Sequence, residues 1–128
     1  MNWFAGIVML LPLSASALNI EYQKIATAES SRVGKLVVRY FMSFEDPCLY
    51  VQLLSPGDNW QVIKSSSICS FQGRSFSTEF AHVGFENISV SNGAINLVLR
   101  IFPLRASGEV QRSCTIAVGS GIIGPLQC

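Results

Sequence analysis

The sequence holds one histidine, His82, and only 13% charged residues, nine Lys+Arg against eight Asp+Glu. A single imidazole excludes a metal centre built on several histidines. A net charge of +1 without a basic cluster leaves no electrostatic footprint for nucleic acid, which needs Lys and Arg gathered on one face. No Cys-x-x-Cys pair occurs, so the four cysteines lack zinc-ligand spacing. No glycine-rich phosphate cradle occurs either, because Gly34-Lys35 and Gly73-Arg74 stand alone and read as ordinary turns. The chain shows no repeat at a solenoid period and no dozen-residue window with a helical apolar stripe. Its 128 residues suffice for one domain with a modest core.

What is present begins with an apolar leader. Residues 1–17 carry no charged side chain, Trp3 to Leu11 are continuously apolar, and Ala15-Ser16-Ala17 is a small-x-small site. Such a stretch of roughly 7–15 residues marks a secretory signal peptide, whereas a bilayer span needs ~20. Cleavage after Ala17 makes Leu18 the mature N-terminus. Later apolar stretches are broken by Arg39, Glu45, Arg100 and Arg105. The expected product is secreted, or the ectodomain fragment of a membrane-anchored parent. In an oxidising compartment Cys48, Cys69, Cys114 and Cys128 form two disulfides, with three connectivities open. Asn87-Ile88-Ser89 is the one glycosylation sequon.

Beyond the leader, apolar residues recur with a period of two. Leu18, Ile20 and Tyr22 share a face, as do Leu36, Val38, Tyr40, Met42 and Phe44. So do Leu49, Val51 and Leu53, and again Ile95, Leu97, Leu99 and Ile101; Trp60–Ile63 makes a shorter strand. Alternation of this kind, rich in β-branched and aromatic residues, predicts half-buried strands. Asp46-Pro47 and Ser55 to Asn59 separate strands, and Asn92-Gly93 predicts a type I′ hairpin joining 85–90 to 94–102. Pro103 ends that last strand. Ser65-Ser66-Ser67 reads as a flexible polar joint. The expected architecture is all-β, an antiparallel sandwich of about seven or eight strands over residues 18–118. A Gly-rich tail follows over 119–128, as an edge strand stapled by Cys128 or as the cut end of a longer chain.

Few residues speak for catalysis. His82 lies in a strand-like segment without a nucleophile motif, so a structural or surface role outweighs general-base work in a small hydrolase. Glu45, Asp46 and Asp58 are too scattered for the six to eight oxygens calcium wants, leaving at most a weak site, and no other cofactor is expected. Recognition by loops remains. Pro56, Asp58, Asn59 and Trp60 form one candidate contact loop, and Phe71 with Arg74 another. An aromatic at such a tip anchors a partner or a membrane interface, unless its ring packs into the sandwich.

One constellation reaches further. Asp46-Pro47-Cys48-Leu49 is followed by Cys69-Ser70-Phe71-Gln72-Gly73, a Ser/Thr-rich stretch with Phe76 and Phe80, Val83-Gly84-Phe85, and a strand ending Leu97-Val98-Leu99-Arg100-Ile101-Phe102. This order, with Leu18-Asn19-Ile20-Glu21-Tyr22 as an opening strand, resembles the N-terminal module of Delta/Serrate/Jagged-type Notch ligands over residues 18–103. Gln72 interrupts that module's Cys-Ser-Phe-Gly run, and Arg100 stands where it carries an acidic residue. The resemblance implies a C2-like sandwich with Cys48 joined to Cys69 and Cys114 to Cys128. It implies a secreted, non-catalytic binding module of developmental signalling, whose loops meet receptor EGF-like repeats, a phospholipid surface, or both. The alternative is an unrelated secreted sandwich that binds lipid or carbohydrate, or serves as an immune-type effector.

Overall fold

The computed structural model describes residues 25–105 and 108–128. The expected signal peptide and the opening strand at 18–22 lie outside the described residues. Two four-stranded antiparallel sheets face each other. The first holds β1 (Ile25–Val33), β2 (Leu36–Ser43), β3 (Leu49–Ser55) and β4 (Gln61–Ile68) side by side in chain order. A two-residue hairpin, β5 (Ser70–Phe71) and β6 (Arg74–Ser75), leads across to the second sheet. There β7 (Phe80–Ser91), β8 (Ala94–Pro103), β9 (Val110–Ala117) and β10 (Leu126–Gln127) again lie in chain order. Each sheet is thus a meander. The all-β, disulfide-stapled sandwich expected from the alternation is what the chain forms.

The period of two explains the core. Leu49, Val51 and Leu53 of β3 point inward together with Val38 of β2, and Ile95, Leu97, Leu99 and Ile101 of β8 meet them from the opposite sheet. Ile116, Val118 and Phe76 close the layer. Burying each such side chain contributes roughly 1.5–3 kcal/mol, which is what holds two sheets with few connections together. The outer face of the first sheet is also apolar. Val37, Phe41 and Leu54 are buried there, and Phe41 stacks on Tyr50 with ring centroids 5.3 Å apart. Gln52, buried on the same face, accepts hydrogen bonds from Nε of Arg39 at 3.0 Å and from its Nη2.

Turn chemistry behaves as its residues require. Asn92 (φ 53°) and Gly93 (φ 71°) both take left-handed conformations, which gives the β7–β8 hairpin its type I′ turn. β8 ends at Pro103. Two expectations are corrected. Ser65-Ser66-Ser67 is no joint but the middle of β4, paired with Gln52, Val51 and Tyr50. Opposite the inward-facing Leu49, Val51 and Leu53 this edge strand presents Ile68, Ser66 and Lys64, of which only Ile68 is buried, so its ladder to β3 holds it rather than an apolar face. Phe44 does not share the inward face of β2; it lies past the strand's end and is 78% exposed. The 119–128 tail takes the edge-strand form of its two expected alternatives: β10 pairs with Ile116 and Thr115, Gly124 N–H donates to Ala117 O, and Cys128 is bonded to Cys114.

Both disulfides continue a strand register. Cys48 and Cys69 stand one residue beyond the Leu49–Ile68 pair, with Cα atoms 4.5 Å apart. Cys114 and Cys128 stand one residue beyond Thr115–Gln127, at 4.0 Å.

Candidate binding surfaces

The meanders sort the loops to two ends. Because β4 runs the length of the first sheet, the 56–60 loop at its start and the Ser70–Ser75 hairpin after its finish lie at opposite ends. Eight residues of strand span about 26 Å. The two candidate contact loops therefore cannot form one surface. The 34–35 and 92–93 turns share the end of the 56–60 loop. The 44–48 loop, the β5–β6 hairpin and the start of β7 share the other, where Phe71 and Arg74 line one shallow depression with Phe80, Pro103 and Val110.

At the first end, Pro56–Asp58 forms a 3-10 turn, and Ser55 Oγ donates to Asp58 Oδ2 at 2.9 Å. Asn59 (φ 59°) and Trp60 (φ 60°) follow, both left-handed. Asn tolerates that region; a bulky aromatic rarely enters it. Trp60 is nonetheless 56% exposed, so the turn holds a strained indole largely in solvent.

At the second end the aromatic readings change. Phe71 is half-buried against the core rather than presented at a tip. Arg74 lies over the Phe80 ring at 5.1 Å and pairs with Glu79 at 3.8 Å, so its guanidinium serves the hairpin's own packing. Sequence alternation places an apolar residue at 71 but cannot tell a tip from a core position when the hairpin folds back.

Beside this hairpin, a groove of about 480 Å³ opens between the 44–48 loop and β7, lined by Phe44, Asp46, Cys48, His82, Gly84 and Phe85 among others. Asp46 shapes its floor. Its Oδ1 accepts from Cys48 N–H at 3.1 Å and its Oδ2 from the Tyr50 hydroxyl at 2.6 Å. Burial, that hydrogen bond and the nearby carboxylates of Asp46 and Glu45 push the Tyr50 phenol up to about 12. His82 is exposed, its ring 5.6 Å from Phe102 and leaning over Gly84, where a Cβ would stand 3.7 Å from Nε2. Of the three candidate calcium carboxylates, Glu45 and Asp46 lie at this end and Asp58 at the other. Among the described residues no three His, Cys, Asp or Glu side chains converge on a metal position.

The outer face of the second sheet carries a polar cluster that the sequence reading missed. Arg100 Nη1 donates to Glu86 at 2.7 Å, while its Nε and Nη2 grip both oxygens of Glu109, at 2.5 and 2.6 Å. Gln111 adds a bond to Glu109 at 2.7 Å, and the guanidinium sits 5.5 Å over Phe102. These bonds hold the Glu109 carboxyl down at about 2 and raise Arg100 further above its ordinary value. Alternation alone put Arg100 on the outward face; only strand order shows that β7 and β9 flank it with acids. Asn87, the sequon residue, is exposed in β7 with φ 52°, at a break in the ladder between Glu86 and Ser89.

No protein-family model, curated protein or solved structure matches the chain.

Proposed function

We propose that the chain is a secreted, non-catalytic binding module, glycosylated at Asn87 and akin to the N-terminal module of Notch ligands. It meets its partner through the end bearing Trp60. The observation that carries this reading is the indole itself, left-handed and 56% exposed. Strain of order 1–3 kcal/mol at an exposed residue persists where the surroundings over-determine it, and such outliers gather at ligand contacts. An indole in solvent is also the side chain that most often anchors an interface. The Cys48–Cys69 link, which the ligand resemblance implies, supports the kinship.

The partner is a receptor's EGF-like repeats or a phospholipid surface; exposed Lys35, in the turn at the same end as Trp60, suits an anionic one. Surface plasmon resonance against EGF-like repeats and flotation with phosphatidylserine vesicles test the two arms. Binding in either arm, lost in Trp60→Ala, supports the reading; folded protein inert in both removes it.

The groove beside Phe44 favours a second reading, a sandwich that carries a small lipid or sugar. Native mass spectrometry of protein from secreting cells decides it by a co-purifying ligand.

A further inference from the structure

Among the described residues β7 is the longest strand and an edge of its sheet, with no strand paired along its far side. Exposed edges invite a second chain, and folded proteins blunt them with Lys, Pro, bulges or a cover. From His82 to Glu86 the strand keeps unbroken register with β8, from Phe102 to Val98. That stretch, His-Val-Gly-Phe-Glu, contains no Lys and no Pro.

The stretch is also complementary to itself. Antiparallel pairing of two copies about Gly84 sets Gly84 against Gly84, Val83 against Phe85, and His82 against Glu86. The facing side chains are then apolar with apolar and imidazole with carboxylate, and no like charges oppose each other. Glu86 keeps its Arg100 partner in such a pair, and the second strand enters the groove that 82–85 line with the 44–48 loop. The register break at Asn87 comes next, and in this pairing Asn87 stands opposite Ala81 of the second copy at both ends of the joined strands.

We propose that a glycan on Asn87 guards the β7 edge, keeping two copies of the chain from joining there. The inference rests on the secreted, glycosylated reading above. Asn87 suits the modification, being exposed and turned out of the ladder by its left-handed backbone, with Ser89 completing the sequon. In the attachment step the Asn87 amide nitrogen gives up a proton and bonds to the anomeric carbon of a polyprenyl-pyrophosphate-linked oligosaccharide, and the lipid pyrophosphate leaves. A branched, hydrated sugar at that place fills the space the second strand needs.

The full chain, expressed in secreting eukaryotic cells, provides the test. Intact mass reports occupancy, and analytical ultracentrifugation reports assembly for wild type, Ser89→Ala, and wild type treated with an amidase that removes N-glycans. Ser89→Ala removes the sequon while leaving Asn87 and its backbone in place. Wild type is expected to carry one glycan and sediment as a monomer. The two unglycosylated forms are expected to double in mass at the same concentration, with new hydrogen-exchange protection at residues 82–86. Gly84→Lys in the Ser89→Ala background should restore the monomer, since it sets two ammonium groups against each other where a Cβ meets only His82. Secreted wild type without a glycan overturns the glycosylated reading and this inference together. Glycosylated wild type whose Ser89→Ala form stays monomeric, or associates without protection at 82–86, overturns the guard alone.

Discussion

Cys48 and Cys69 close the β3–β4 hairpin at the end away from its turn, one residue past the Leu49–Ile68 pair. The bond therefore locks a register that the inward-facing Leu49, Val51 and Leu53 already specify. With the cysteines 21 positions apart in sequence, the loss of unfolded-chain freedom stabilises the fold by about 3 kcal/mol. Replacing both by Ala should lower the urea-unfolding free energy by roughly 2–4 kcal/mol with the sheet signal in circular dichroism retained. A change below ~0.5 kcal/mol would mean the hairpin is held without the link.

Tyr50 links the groove to the outer face of the first sheet. Its phenol is raised from 10.0 to about 12, so the folded state holds that proton more tightly than the unfolded chain does. The stability this contributes is complete below pH 10 and is lost as pH rises from 10.0 towards 12. Tyrosinate absorbance should show Tyr50 ionising late. Asp46→Asn removes the charge next to the hydroxyl and should bring that step down towards 10.0. An unchanged titration would remove Asp46 as a cause.

Glu109 works in the opposite direction. Arg100 and Gln111 lower its carboxyl from 4.5 to about 2. The contribution is therefore full above pH 4.5 and is lost as pH falls towards 2. Glu109→Gln should flatten the acid limb of the stability profile between those values. The cluster lies on the surface, so high salt should shrink the difference. A wild-type profile that is already flat there would contradict the pairing.

The centre of the sandwich sets the scale for mutational cost. Leu99 is fully buried between the sheets, whereas Ile122 is 57% exposed. Leu99→Ala should cost about 2–5 kcal/mol, through lost transfer energy and the cavity it leaves. Ile122→Ala should stay within about 0.5 kcal/mol. Comparable losses at both positions would mean that the 118–124 segment packs more deeply than its exposure indicates.

The strands that fill the core were legible because burying one face leaves a period of two, clearest in Ile95 to Ile101 with Asn92-Gly93 before it. β1 was not, because Ile-Ala-Thr-Ala-Glu-Ser-Ser-Arg-Val is an edge strand held by its ladder to β2 and carries little pattern of its own. β4 was half legible for the same reason. Strand order was the larger gap. Nothing in the spacing of residues 56–60 and 70–75 tells that a single strand holds them at opposite ends, or that Arg100 falls between Glu86 and Glu109. Those relations arise between strands, and a single sequence records only what happens along one.

Trp60 offers the sharpest separation of structure from binding. A left-handed backbone costs a bulky L-residue roughly 1–2 kcal/mol, and Asn is the side chain that best tolerates it apart from Gly. Trp60→Asn relieves that strain while losing the contacts of the indole's covered part. The two effects oppose each other, so the unfolding free energy should stay within about 1 kcal/mol of wild type. Binding to phosphatidylserine vesicles or EGF-like repeats, whichever the wild type shows, should fall at least about tenfold, as when an interface anchor is truncated. A protein destabilised by ~3 kcal/mol would make the indole a packing residue. Undiminished binding would shift the contact to the opposite end, to Phe44 and its groove.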